Sequence, residues 1–238
     1  MVLLNIETST TVCSASITVD GVVQTLRIDH TSNSHARLLP VFVQELLEEL
    51  RNRNQKLDAV ALSQGPGSYT GLRIGSATAK GLCYGFGIPL VPVDTLLVIA
   101  HMAVQQNPGL PHNALLCPMI DARRMEVYNA FYTTGLQPVT DSAAATIVTA
   151  DTFADLLSQR PVVFCGNGAD KCKTVLVSPN ALFLDNIYPS AEYMGQLAES
   201  LCQQGKTLQL TDIAYYNPFY LKEFQATVSR NKVLQNNL

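Results

Sequence analysis

One order of elements is written into this chain twice, and that repetition constrains the fold more than any single motif. Val2 to Ile6 is a short apolar run suited to a strand buried on both faces. Val12 to Val19 and Val22 to Ile28 flank Asp20-Gly21, a two-residue hairpin turn with positive φ. A helix follows from Ser34, its expected N-cap, to about Arg51. Then come a buried strand Asp58 to Ser63, a Gly-rich segment Gly65 to Gly71, a helix Leu72 to Phe86, a strand Pro89 to Val93, and a helix capped by Thr95 that reaches about Gln106. The stretch Asn107 to His112 (Asn-Pro-Gly-Leu-Pro-His) breaks every pattern. Beyond it the order restarts with paired strands Ala114 to Ile120 and Met125 to Tyr132, and a weaker third at Thr146 to Val148. A helix from Asp151, a strand Val162 to Cys165, a loop Gly166-Asn167-Gly168, a helix after Asp170, a strand Leu182 to Leu184 and a helix Ala191 to Gln204 complete it.

The two halves align from their first strands. Asn5-Ile6-Glu7-Thr8-Ser9 sits where Met119-Ile120-Asp121-Ala122-Arg123 sits, so each first strand ends on a carboxylate. The pattern predicts an α/β chain of two domains, 1–106 and 113–222, each a mixed sheet flanked by helices, followed by a tail over 223–238.

Composition sets outer limits on function. With 238 residues, 47% hydrophobic and 15% charged, the chain can bury a sizeable core and is not of the disordered class. A net charge of -3 argues against a free-standing nucleic-acid binder. Cys13, Cys83, Cys117, Cys165, Cys172 and Cys202 are scattered without a Cys-x-x-Cys pair, which predicts free buried thiols and no zinc site. The opening residues carry no basic leader and meet Glu7 early, and no apolar run approaches the roughly 20 residues of a membrane span. A cytoplasmic protein with no membrane contact is expected.

Gly65-Pro66-Gly67-Ser68-Tyr69-Thr70-Gly71-Leu72-Arg73-Ile74-Gly75 is the most specific stretch. A strand enters it and a helix leaves it, a geometry that suits either an anion at a helix N-terminus or tight packing of the glycines. No Gly-Lys-Ser/Thr follows, so it is not a Walker loop. Along the helix after it, Gly71, Gly75, Ala79 and Cys83 form a stripe of small side chains that would let another helix approach closely. In the helix from Ser34, Leu38, Leu39, Phe42, Val43, Leu46, Leu47 and Leu50 spread over about half the circumference, more than one core contact needs. Leu39, Phe42, Val43, Leu46 and Leu50 are therefore predicted, with the small-residue stripe, to form a docking face. On that reading Gly75→Arg or Leu46→Asp breaks a complex and spares the fold.

Catalytic constellations are thin. His30, His35, His101 and His112 include no i,i+4 pair, and there is no Gly-x-Ser-x-Gly elbow. Glu7 and Asp121 are the carboxylates expected to face a shared cleft, holding a hydrated Mg²⁺ or capping their own turns. Ser9, Gly67, Arg123, Gly166 and Gly168 complete that candidate nucleotide or anion cleft.

The Gly65 to Gly75 segment resembles the signature of the TsaB (YeaZ) family. Ile6-Glu7-Thr8-Ser9, Ser34-His35 to Leu39-Pro40, Ile120-Asp121-Ala122-Arg123 with Glu126-Val127-Tyr128, and Pro218-Phe219-Tyr220-Leu221 support the likeness, which runs along essentially the whole chain. The resemblance implies two ribonuclease-H-like domains of the actin-like ATPase superfamily. It also implies a non-catalytic subunit in making threonylcarbamoyladenosine beside the tRNA anticodon. Its catalytic partner would be a TsaD-like paralogue, joined by a TsaE-like ATPase. Alone, the chain would form a homodimer. It would touch tRNA only through its partners and hold no cofactor of its own, ATP and Mg²⁺ entering only with the complex. Superfamily members that bind nucleotide end the first strand in Asp-x-Gly, whereas Ser9 and Arg123 stand at those glycine positions here. The alternative is an ATP-dependent small-molecule kinase or ATPase using the interdomain cleft.

Overall fold

A computed structural model describes residues 1–31 and 34–222 of the chain; the predicted tail over 223–238 lies outside the described residues. The first sheet comprises β1 (Val2–Glu7), β2 (Cys13–Val19), β3 (Val22–Asp29), β4 (Ala59–Gly65) and β5 (Leu90–Asp94), in the order β3-β2-β1-β4-β5. β1 to β3 form an antiparallel meander, while β4 and β5 run parallel to β1. The parallel connections need crossovers. They are α1 (His35–Asn52) before β4 and α2 (Tyr69–Phe86) before β5.

The second sheet repeats this plan. β6 (Leu115–Asp121) pairs antiparallel with β7 (Glu126–Asn129), and β7 with β9 (Ala144–Ile147); β10 (Val162–Cys165) and β11 (Ala181–Phe183) run parallel to β6. Read from the other edge, β9-β7-β6-β10-β11 matches β3-β2-β1-β4-β5 strand for strand, with the short β8 (Tyr132–Thr133) added on β6. The duplication read from the sequence is thus present in the topology.

Several local expectations shift. The strand expected over Met125 to Tyr132 is split at Ala130-Phe131, and β9 starts two residues before Thr146. The helix expected from Asp151 is only α4 (Ala154–Gln159), and the one after Asp170 is a single 3-10 turn, Asp170–Cys172. Ala191–Tyr193 is also a 3-10 turn, ahead of α5 (Gly195–Gln203) and a short α6 (Leu210–Ile213). Ser34 caps no N–H; its hydroxyl donates to Asp29 and to the Thr31 carbonyl. α3 (Thr95–Gln106) is capped by Asp94, which accepts Leu97 N–H at 3.0 Å, while Thr95 Oγ1 accepts Gly65 N–H at 3.1 Å.

Packing redraws the domain division at 107–112. Those residues do form the turn between the sheets, yet helices are exchanged across it. α3, assigned by sequence to 1–106, buries Leu96, Ile99, Ala100 and Ala103 against Leu116, Ile120, Val163 and Cys165 of the second sheet. From the other side, Ala191, Met194 and Ala198 pack with Leu3, Ala59, Ala61, Val91 and Val93 of the first. The reason lies in α3 itself, which is buried nearly all round and needs two sheets to cover it. Among the described residues the six cysteines are unbridged, and no helix is long and apolar enough to cross a membrane.

Candidate functional site

α1 and α2 lie side by side on one face of the first sheet, and their inner sides make its core. Leu39, Val43, Leu46, Leu50, Ala79 and Cys83 pack with Leu4, Ile6, Ala15 and Ile17. This corrects the predicted docking face. Of its nine residues, only Phe42 is not buried by its own chain, and it too leans on that core. The small stripe faces inward: a Cβ on Gly71 would lie 2.0 Å from the Thr8 carbonyl oxygen, and one on Gly75 2.3 Å from Thr8 Oγ1. Gly75→Arg and Leu46→Asp would therefore damage the fold itself.

A second small-residue row, absent from the sequence reading, runs along the outer side. Ala77, Gly81 and Gly85 are exposed, and a Cβ on Gly81 or Gly85 would meet nothing within 4 Å. Ala77, Thr78, Gly81 and Leu82 form one wall of an open groove of about 620 Å³, with Pro40, Gln44, Leu47, Glu48 and Arg51 of α1 opposite. Val41, Tyr84 and Phe86, about half exposed at 45%, 52% and 54%, stand on the same two helices. Spacing made the row legible, since Ala77, Gly81 and Gly85 also recur every four residues. Which row met the sheet depended on the loop that starts the helix.

Several N–H groups of that loop are taken up by the chain itself. Ser68 N–H donates to the Ser9 carbonyl at 2.6 Å, Gly71 N–H to Ser68 Oγ at 3.3 Å, and Gly65 N–H to Thr95. A Cβ on Gly67 would fall 2.4 Å from the Ser9 carbonyl oxygen. The glycines are there so that α2 can sit on the β1–β2 turn. The second half does the same: a Cβ on Gly166 (φ +95°) would lie 2.3 Å from the Met119 carbonyl oxygen, and one on Gly168 2.8 Å from the Ile120 carbonyl carbon. Phe219 N–H, on the segment after α6, donates to the Gln64 carbonyl at 2.7 Å, and Lys222 pairs with Glu126 at 2.5 Å. This segment therefore spans from the Gly-rich loop to the second sheet.

The two carboxylates do not face a shared cleft. Glu7 is fully buried at the tip of β1, where its Oε1 accepts Ser9 N–H at 2.6 Å, and burial pushes its pKa up to about 7. Asp121, 44% exposed, pairs with Lys171 and accepts Arg123 N–H at 2.9 Å. Its own N–H donates to Asn167 Oδ1 at 3.1 Å. Arg123 takes a left-handed backbone (φ +71°) that turns the β6–β7 hairpin. Mg²⁺ keeps several waters and needs open carboxylate oxygens. A sealed glutamate and a lysine-paired aspartate do not fit that ion, and among the described residues no group of three or more His, Cys, Asp or Glu side chains is placed to hold a metal.

Two copies of one five-stranded plan, each with a carboxylate ending its first strand and a glycine loop folded onto that strand's tip, define the two-domain actin-like, ribonuclease-H-like class. Residues 28–236 match the family model described as TsaD: tRNA N6-adenosine threonylcarbamoyltransferase. The chain is 29% identical over 233 residues to the tRNA threonylcarbamoyladenosine biosynthesis protein TsaB of Bacillus subtilis, covering 95% of this chain and 96% of that one. It is 34% identical over 132 residues to TsaB of Escherichia coli, a match that spans 56% of this chain and only 55% of the relative. YeaZ from Pseudomonas aeruginosa superposes with a TM-score of 0.72 at 25% identity, over 92% of this chain and 99% of that one. The chain belongs to the TsaB (YeaZ) family.

Proposed function

We propose that the chain serves threonylcarbamoyladenosine formation in tRNA as a non-catalytic subunit. It docks a TsaD-like partner on the outer groove of α1 and α2. One observation carries this reading: the two longest helices present a row of small residues, Ala77, Gly81 and Gly85, along an open groove, with Val41, Tyr84 and Phe86 exposed on the same helices. Such a row lets a foreign helix approach closely, and each helix-interior glycine costs about 0.5–1 kcal/mol relative to alanine unless packing offsets it. In the absence of the partner the same face would pair two copies of the chain. A TsaE-like ATPase, with its ATP and Mg²⁺, would join the pair, tRNA would be held mainly by the partners, and the setting would be the cytoplasm. The cleft-based kinase reading has less support, because both glycine loops are packed shut and Asp121 is paired.

Co-purification tests the reading. Gly81→Arg should remove association with the TsaD-like partner while far-UV circular dichroism and the unfolding midpoint stay near those of the parent. Reconstituted tRNA modification should fall with it. Retained association in Gly81→Arg would place the contact elsewhere.

A further inference from the structure

On the face of the first sheet away from α1 and α2 lies a buried carboxylate with no counter-charge. Glu7 Oε2 has no hydrogen-bond partner among the described residues, although the side chain is fully buried. Ser9 and Ser63 place their hydroxyls beside the carboxyl, and Ser9 Oγ is likewise unpartnered. Asn5, two positions back on the same face of β1, keeps an unpartnered buried Oδ1 while its amide nitrogen donates to Ser16 and Thr18. No ion pair among the described residues includes Glu7.

The elements around it offer no positive charge. β2 brings Ser14 opposite Glu7 in register, and Cys13, whose thiol burial pushes up to about 12 so that it stays neutral. Asp29, at the end of β3, acts on that thiol. β4 brings Ser63, and the turn at Ala191 brings a backbone N–H to Ser14. An isolated buried carboxylate is strongly disfavoured, so it takes up a proton or acquires a counter-charge.

We propose that the oxygens of Glu7, Ser9, Ser63 and Asn5 form an interior site for a monovalent alkali cation, sodium or potassium, which neutralises Glu7 in the folded chain. The donor chemistry selects the class. Hydroxyl and amide oxygens replace the hydration shell of an alkali ion, and one carboxylate balances one positive charge. Ca²⁺ draws on more carboxylate oxygens and Mg²⁺ keeps its waters, neither of which this sealed cluster supplies. The site is separate from the docking groove and does not depend on that reading.

Thermal unfolding of the full chain near pH 8 tests it, in potassium, sodium or choline chloride at equal ionic strength. An ion that binds only the folded state should raise the midpoint by about 3 °C in at least one alkali salt over choline. The difference should vanish in the isosteric Glu7→Gln, shrink in Ser9→Ala, and fade as the pH falls below about 7, where a proton takes the cation's place. Equal midpoints in the three salts, or an undiminished salt effect in Glu7→Gln, would overturn the proposal in favour of a proton or an internal water. Should Glu7→Gln not fold, a thallium(I)-soaked crystal of the parent decides: an anomalous peak among these four side chains supports the site, and its absence there overturns it.

Discussion

The two halves share a strand plan and differ in what is built on it. The first half fills its crossovers with α1 and α2, which run over His35–Asn52 and Tyr69–Phe86. At the same places the second has α4, Ala154–Gln159, and one 3-10 turn, Asp170–Cys172. A short crossover is enough to keep β10 and β11 parallel to β6. The length of α1 and α2 therefore exceeds what their own sheet requires, and the surplus is the outer groove. The tips differ too: Glu7 is fully buried, whereas Asp121 is half exposed and paired with Lys171.

The strongest challenge to this comparison addresses the glycine loop, which both halves keep. Gly71→Val should destabilise the chain by about 3 kcal/mol or more in urea unfolding, because the new side chain meets the Thr8 carbonyl. Gly166→Val should match it, since Met119 is as close and the backbone is left-handed there. A mild effect in either would separate the halves at the loop as well.

Next in size is the tip contrast. Glu7 titrates near 7 when folded against 4.5 in the open chain, so the fold favours its protonated form. The stability it contributes is complete below about pH 4.5 and is lost as pH rises through about 7. In choline buffer near pH 8, Glu7→Gln should be more stable than the parent by about 3 kcal/mol, on the scale of 1.36 kcal/mol per pH unit, and the advantage should disappear near pH 4. A flat pH profile for the difference would mean that Glu7 titrates alike in the folded and unfolded chain.

Smaller effects separate the inner and outer rows. Gly81→Ala should stabilise the chain by about 0.5–1 kcal/mol, because the site is open helix surface. Destabilisation instead would show that Gly81 is covered. Least of all, Asp121→Asn should shift the unfolding midpoint by no more than the roughly 0–1 kcal/mol of an exposed ion pair.

Much of the fold was legible along the chain. Hairpin chemistry at Asp20-Gly21, apolar runs at β1, β4, β6 and β10, and the restart after His112 are local signals, and they carried the duplicated α/β plan. Helix lengths in the second half were less legible: residues 166–180 hold turn-formers among apolar residues, and only packing limits Asp170–Cys172 to one turn. The candidate site was half legible. α1 and α2 could be named as unusual, but the row of α2 read as free for a partner is the one packed on its own sheet.

Composition and periodicity by themselves determined that two sheets form, in what order, and which helices carry small residues at four-residue intervals. They could not say which row turns inward, because two rows of similar size on one helix are equivalent until a sheet lies beneath it. Tertiary structure decided it through contacts distant in sequence: the Thr8 and Ser9 carbonyls leave no room for a Cβ at Gly67 and Gly71, which fixes the rotation of α2. The same long-range packing sealed Glu7, exposed Asp121, and exchanged α3 and α5 between the sheets, since burial depends on what the rest of the chain brings alongside.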